Sequence, residues 1–315
     1  MNEFKNNYVC PRCKSNLTID GTNFKCSDNT CIYSTEKFLT IDHKPVLVDF
    51  NNSVLNQDVF IKLGGGSIVE RESNPSFIYS FLQKLLHGSG SITKKNLEYL
   101  NSELNSDSKI LIIGGGTIGS GMHKFIQQNK GKIISFDIYN STNINFIADA
   151  HSIPITDETF DLVIIQAVLE HVVCPQIVVN EIRRVLKING KVYAETPFLQ
   201  HVHEGAYDFT RYTVLGHRIL FKDFDTNLSG FNGGIGTKIL WSIEMLFSGL
   251  FRSRRIGKIF RVFFFYFRFI DNLIDDHYNE DGACGVFFIG TKTTKISHET
   301  YDYKKYILEY NGSQI

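Results

Sequence analysis

Three groups of residues in this chain have types and spacings suited to chemistry. The first is a set of thiols. Cys10-Pro11-Arg12-Cys13 is a CxxC knuckle, and Cys26 and Cys31 form a wider CxxxxC pair. Two thiolate pairs separated by a short hairpin can converge tetrahedrally on Zn²⁺, and such a closed four-cysteine site holds a fold together and does not catalyse. The wider second pair leaves four buried, unmetallated thiols as the alternative. The second group is a glycine run, Gly114-Gly115-Gly116-Thr117-Ile118-Gly119, followed by carboxylates at Asp137 and Asp149. Glycines permit a tight turn and close backbone approach to a ligand, and a helix N-terminus adds a favourable dipole. The third group is polar and dense: His201, His203, Glu204, Tyr207, Asp208, Arg211, Tyr212 and Thr213.

Elements that could position these groups are legible around them. Lys109-Ile110-Leu111-Ile112-Ile113 reads as a buried strand running into the glycine turn, with a helix over 122–128. Strand, glycine turn and helix is the context that gives a GxGxxG signal meaning. Lys132-Ile133-Ile134-Ser135-Phe136 is a second strand ending in Asp137, and Asn145-Phe146-Ile147-Ala148 a third ending in Asp149-Ala150. An acid at the end of the second strand can accept both hydroxyls of a ribose. Up to this point a nicotinamide dinucleotide fits as well as another nucleoside. Phe160 to Ile165 reads as a further strand, and so does the stretch that ends at Glu195-Thr196-Pro197. Loops at the carboxyl ends of such strands line the ligand crevice, which places the His201–Thr213 cluster there.

The order Ala148-Asp149-Ala150, Ile153-Pro154-Ile155, Phe160-Asp161-Leu162-Val163, Leu169-Glu170-His171-Val172 and Leu186-Lys187-Ile188-Asn189-Gly190-Lys191 resembles a class I S-adenosylmethionine-dependent methyltransferase of the type 11-like group. The resemblance covers roughly residues 109–197. It implies an α/β fold with a Rossmann-like, seven-stranded sheet. It also implies S-adenosylmethionine as cofactor: Asp137 on the ribose, Asp149 with Ala150 on the adenine, Gly114, Gly116 and Gly119 along the methionine portion, and Gln166 beside them. The family carries an acid within strand one, two positions before the first glycine, where this chain has Ile112. That departure bears on how the amino-acid end of the cofactor is held, and it motivates a non-catalytic binding or activator protein as a rival. Residues 1–50 resemble the zinc-ribbon domain of the methyltransferase-activator type. This implies structural Zn²⁺ on Cys10, Cys13, Cys26 and Cys31. Val202-His203 with Asp208-Phe209-Thr210-Arg211-Tyr212-Thr213 resembles a methyltransferase subgroup of polysaccharide and glycoconjugate biosynthesis, which implies a small-molecule or glycan acceptor, lipid-linked glycans included. Methyl transfer to a hydroxyl needs a general base; His203, His171 and Asp208 are the candidates.

The remaining expectations concern organisation. Residues 51–90, with Gly64-Gly65-Gly66, read as a flexible linker followed by a helix over 75–86, and 92–104 as another helix. A methyltransferase domain over 91–295 would contain a helical insertion at about 238–275, with a polar tail over 296–315. In the insertion, Arg254, Lys258, Arg261 and Arg268 fall on one stripe of a single helix over 252–268. With the phenylalanines around them they suit peripheral contact with anionic lipid. Lys+Arg and Asp+Glu are both 33, so nothing chain-wide favours nucleic acid, and the RNA-methyltransferase rival also lacks an Asn/Asp-Pro-Pro-Tyr motif. Residues 1–9 show no apolar leader, no stretch reaches the ~18 apolar residues of a membrane span, and the clustered cysteines suit a reducing compartment. The reading is a cytoplasmic protein, peripheral at the inner face of the membrane.

Overall fold

The computed structural model describes residues 7–20, 23–66, 90–294, 307–308, 310 and 312–313. Its strands are β1 (Leu17–Asp20), β2 (Asn23–Cys26), β3 (Thr40–Ile41), β4 (Lys44–Leu47), β5 (Ile110–Ile113), β6 (Ile133–Asp137), β7 (Phe146–Ala148), β8 (Phe160–Gln166), β9 (Leu186–Pro197), β10 (Phe224–Asn232) and β11 (Gly285–Lys292). The helices used below are α1 (Gln57–Lys62), α2 (Gly90–Ser102), α3 (His123–Gln128), α4 (Pro175–Val185), α5 (Val214–Leu220), α6 (Ile235–Leu250) and α7 (Arg254–Phe263).

Nine strands form one sheet in the order β10-β11-β9-β8-β5-β6-β7-β4-β3. β5, β6, β7, β8 and β9 are mutually parallel, and β11 runs antiparallel to both its neighbours. All four residues of β5 are buried, as a parallel strand covered on both faces requires. From β5 the chain winds outward through β6 and β7, then returns to add β8 and β9 on the other side. The switch point lies between β5 and β8, and a ligand crevice forms beyond the carboxyl ends there. The seven strands from β10 to β7 form the Rossmann-like sheet that the resemblance implies.

The amino-terminal module is built into this sheet. β4 pairs in parallel with β7, Val46 opposite Ile147 and Leu47 opposite Ala148, which covers an otherwise open edge. Tyr8 bridges to Ile155, and its ring packs on Phe24 and Phe146. Lys14 donates to Glu181 at 2.8 Å and to Ser152 at 2.7 Å. Cys10, Phe24, Tyr33 and Phe38 share one apolar cluster with Phe136, Phe146 and Ile165.

Two expectations need correction. Residues 51–66 are a packed segment, not a flexible linker. α1 is capped by Asn56, buries Phe60 and leads to Gly65, whose carbonyl accepts from Asn140 N–H at 2.8 Å. The helix expected over 75–86 and most of the 296–315 tail lie outside the described residues. The single helix expected over 252–268 is broken. α7 ends at Phe263, and Arg268 lies on a separate 3₁₀ segment, Phe265–Asn272. The physical reason is Asp271, whose carboxylate caps the start of α6. It accepts from Gly236 N–H at 2.6 Å and from the Thr237 hydroxyl at 2.5 Å. A continuous helix would carry Asp271 away from that end. Arg261 turns inward to Glu244 at 2.6 Å, so the basic stripe is partly neutralised. β10 carried no clear sequence signal, because this edge strand buries only Phe224.

Candidate functional site

A cavity of about 500 Å³ opens at the carboxyl ends of β5, β6, β8 and β9, beside the switch point. Gly114 turns the chain out of β5 with φ +76°, and a Cβ there would overlap Val168. The amides of Gly114 and Gly115 both donate to the Phe136 carbonyl at 3.0 Å, which binds the turn to the end of β6. Gly116 N–H donates to Asp137 Oδ2 at 2.9 Å, and a Cβ on Gly116 would lie 2.6 Å from that oxygen. Tyr139 N–H holds Oδ1 at 3.2 Å. The glycine loop therefore sets the direction of the Asp137 carboxylate at the cavity wall.

Asp149 follows β7 on the same side of β5 and is 6% exposed. Burial opposes its charge. Contacts with His151 Nδ1 at 2.6 Å and the Ser53 hydroxyl at 2.6 Å still hold its carboxyl below the usual range. Val54 also lines the cavity, together with Ile138, Ala148 and Ala150. Ser53 and Val54 come from the amino-terminal segment, so that segment completes the wall beside Asp149. Sequence reasoning missed both residues; nothing in their local pattern marks them.

The other end of the cavity answers the question raised by Ile112. That side chain is buried on the face packed against Met122 and Phe125, and it supplies no acid. An acid reaches the same region from β9. Glu195 is 7% exposed and lines the cavity. It accepts from Thr93 Oγ1 at 2.6 Å, from the Tyr193 hydroxyl and from Gln166 Nε2 at 2.5 Å. Burial raises its carboxyl above the usual value against these hydrogen bonds. Gln166 Oε1 is buried with no hydrogen-bond partner. Gly119 makes room for it, since a Cβ would lie 2.7 Å from Gln166 Cδ and nearer still to Oε1. An unmet acceptor beside an acid fits a cationic donor such as an α-ammonium group. Of the cofactor candidates, Gly114, Gly119, Asp137, Asp149, Ala150 and Gln166 line this one cavity, and Gly116 orients Asp137 from behind.

The three expected bases separate. His171, on the turn after β8, and His203, on the loop after β9, both face the cavity, with Nε2 atoms 3.1 Å apart. Burial lowers the His171 pKa, and His203 adds to the effect. Asp208 is not at the wall. Its side chain is 2% exposed and clamped by Arg211, with one contact at 2.8 Å. Against burial, Arg211 and the His203 amide depress its carboxyl to about 2. Such a group takes no proton at neutral pH. Asp208 positions the His203 loop instead of serving as a base.

The four amino-terminal thiols converge. Cys13 and Cys26 Sγ are 3.4 Å apart, Cys10 and Cys31 Sγ 3.8 Å, and all four lie within 4.8 Å of one another. Tetrahedral zinc with ~2.3 Å bonds places its sulfurs ~3.8 Å apart, so the donor set fits. Hydrogen bonds from Ser15 and the neighbouring thiols overcome burial and bring Cys13 to about 7.

A family model described as a methyltransferase domain, Methyltransf_11, matches residues 117–194. No curated protein matches the chain. Among solved structures, phosphoethanolamine N-methyltransferase 2 of Haemonchus contortus, in complex with phosphomonomethylethanolamine and S-adenosylhomocysteine, aligns at 14% identity and TM-score 0.44, over 71% of this chain and 59% of that one. The chain thus spans somewhat over half the length of that enzyme. A putative sarcosine dimethylglycine methyltransferase from Galdieria sulphuraria aligns at 15% identity and TM-score 0.42, over 76% and 98%. A complex of the Haloferax volcanii Trm112 methyltransferase activator with a putative methyltransferase aligns at 12% identity and TM-score 0.39, over 70% and 97%.

Proposed function

We propose that this chain is an S-adenosylmethionine-dependent methyltransferase acting on a small-molecule or glycan acceptor. The observation that carries the reading is one cavity with Asp137 and Asp149 on one side of β5 and the Glu195–Gln166 pair on the other. The cofactor supplies an electrophilic methyl on a sulfonium. Asp137 accepts the ribose hydroxyls, the apolar strip of Val54, Ile138 and Ala150 takes the adenine, and Gln166 with Glu195 takes the α-ammonium in place of an acid at Ile112. His203 and His171 lie where the acceptor enters and can receive the proton that an acceptor hydroxyl loses. A cavity of this size accommodates a nucleoside with a compact acceptor, which supports small molecules or a glycan terminus over a folded nucleic acid.

Zinc on Cys10, Cys13, Cys26 and Cys31 would brace the module that carries Ser53 and Val54 and would supply no chemistry to the cavity. Peripheral contact with a lipid surface is a further part of the proposal. It is supported by Leu250, Phe251, Ile259 and Phe263, which are all more than half exposed on the helical insertion. No helix among the described residues is long and apolar enough to cross a membrane.

The test is calorimetric titration of zinc-replete protein with S-adenosylmethionine, S-adenosylhomocysteine and NAD. Binding of the two sulfur nucleosides, weakened at least tenfold in Asp137→Ala, is the expected result. Binding of NAD alone would overturn the reading. Transfer of labelled methyl to nucleotide sugars and lipid-linked glycans then tests the acceptor class, and sedimentation with anionic vesicles tests the lipid contact.

A further inference from the structure

Glu170 is fully buried, yet neither of its carboxylate oxygens has a hydrogen-bond partner. A buried carboxylate with no donor is expensive, so something should answer it. His171 Nε2 lies 3.6 Å and His203 Nε2 3.7 Å from its Oε1. The two Nε2 atoms are 3.1 Å apart.

The far sides of the rings decide what the near sides offer. His171 Nδ1 lies 2.6 Å from the Tyr207 carbonyl, which can only accept, so Nδ1 carries the proton. His203 Nδ1 faces the His201 carbonyl and Asp208 Oδ2, both at 3.5 Å, and these too are acceptors. Each neutral ring then presents an Nε2 lone pair to the other and to Glu170. With Glu170 ionised, the three atoms that meet here are all acceptors. A point equidistant from three atoms at these separations lies about 2.0 Å from each, the length of a zinc–nitrogen or zinc–carboxylate bond. Carbonyls behind metal-binding imidazoles are the usual means of fixing tautomer and orientation. Here Tyr207 and His201 supply them, and the Asp208–Arg211 pair braces the loop.

We propose that Glu170, His171 and His203 form a second metal site, for a divalent first-row transition ion such as zinc, separate from the four-cysteine cluster. Two imidazoles and one carboxylate leave coordination positions open, and both imidazoles border the cavity. An acceptor oxygen bound there would lose its proton to solvent more readily, and with both Nε2 atoms on the ion the two histidines would hold the metal in place of receiving that proton. The metal site itself depends only on these residues; its part in methyl transfer rests on the function proposed above.

The test is metal content of the full chain after exposure to zinc and removal of loose ions. The parent should hold two zinc ions per chain, and Glu170→Gln and His203→Asn one each, with cooperative thermal unfolding retained. Cobalt substitution separates the sites: the four-cysteine cluster gives a thiolate charge-transfer band, which should persist in both variants. The weaker visible bands of a nitrogen–oxygen site should vanish. A parent holding one ion, with thiolate bands only, would overturn the proposal whether or not the variants fold. So would two ions in a folded Glu170→Gln and a folded His203→Asn. Two ions in a parent that binds no sulfur nucleoside would uphold the site and discard its role in methyl transfer.

Discussion

Replacing Gly119 with alanine tests the cavity through a single methyl group. The added Cβ would lie 2.7 Å from Gln166 Cδ and overlap Oε1, so the amide must swing away. It then gives up its donation to Glu195 at 2.5 Å and to the Ser120 carbonyl at 3.3 Å. The free protein can rehydrate these groups through the open cavity, so its stability should fall by no more than about 1 kcal/mol. Binding suffers more, because the unmet Gln166 oxygen is the proposed partner of the cofactor's ammonium. One hydrogen bond to a charged group is worth about 1.5–3 kcal/mol, which is a ~10- to 150-fold rise in dissociation constant. Calorimetric titration with S-adenosylhomocysteine reads this directly. Gly131→Ala is the control, since a Cβ there meets nothing within 4 Å. A double-mutant cycle isolates the cause: in a Gln166→Ala background the methyl group has nothing to displace, so Gly119→Ala should add almost no further loss. Undiminished affinity in Gly119→Ala would refute the reasoning. An equal loss in both backgrounds would show that Gln166 is not the element displaced.

Other perturbations follow from the same geometry. Arg211→Met removes the cation from the buried Asp208 and should cost about 2–3 kcal/mol in urea unfolding, discounted because Arg211 itself reaches solvent. The Asp208 carboxyl is depressed to about 2 in the fold. Its contribution is therefore complete above its unfolded pKa and lost as pH falls toward 2, so the gap between parent and variant should be full at neutral pH and close in acid. Cys10→Ser should release zinc to a chelator far more readily than the parent does and lower the melting temperature, because the cluster shares its core with the sheet. A parent that melts identically with and without chelator would argue against a bracing role for the metal. Val54→Asp places a charge beside Asp149 at a position 38% exposed. It should weaken S-adenosylhomocysteine binding severalfold with little change in unfolding; equal affinity would remove the amino-terminal segment from the site.

Features that depend on near neighbours are legible in the residues alone. The all-apolar run Ile110–Ile113 can only be a buried strand, Gly114 supplies the positive φ that its turn needs, and acids end the next two strands. Two closely spaced cysteine pairs converge because a hairpin joins them. Tertiary structure decided what depends on distant partners. β4 closes the β7 edge across about 100 residues of chain, a pairing that no local pattern encodes. Ile112 supplies no acid, and Glu195 brings one to the cavity from β9, a different strand. Asp208 reads as a candidate base until Arg211 is seen to neutralise it. Nothing local marks Glu170 as buried, yet the fold encloses it fully beside His171 and His203. Periodicity and turn chemistry act over a few residues, so they are written locally. Burial, ion pairing and proton position are set by whatever the folded chain brings alongside, and these decide which polar groups are left to do chemistry.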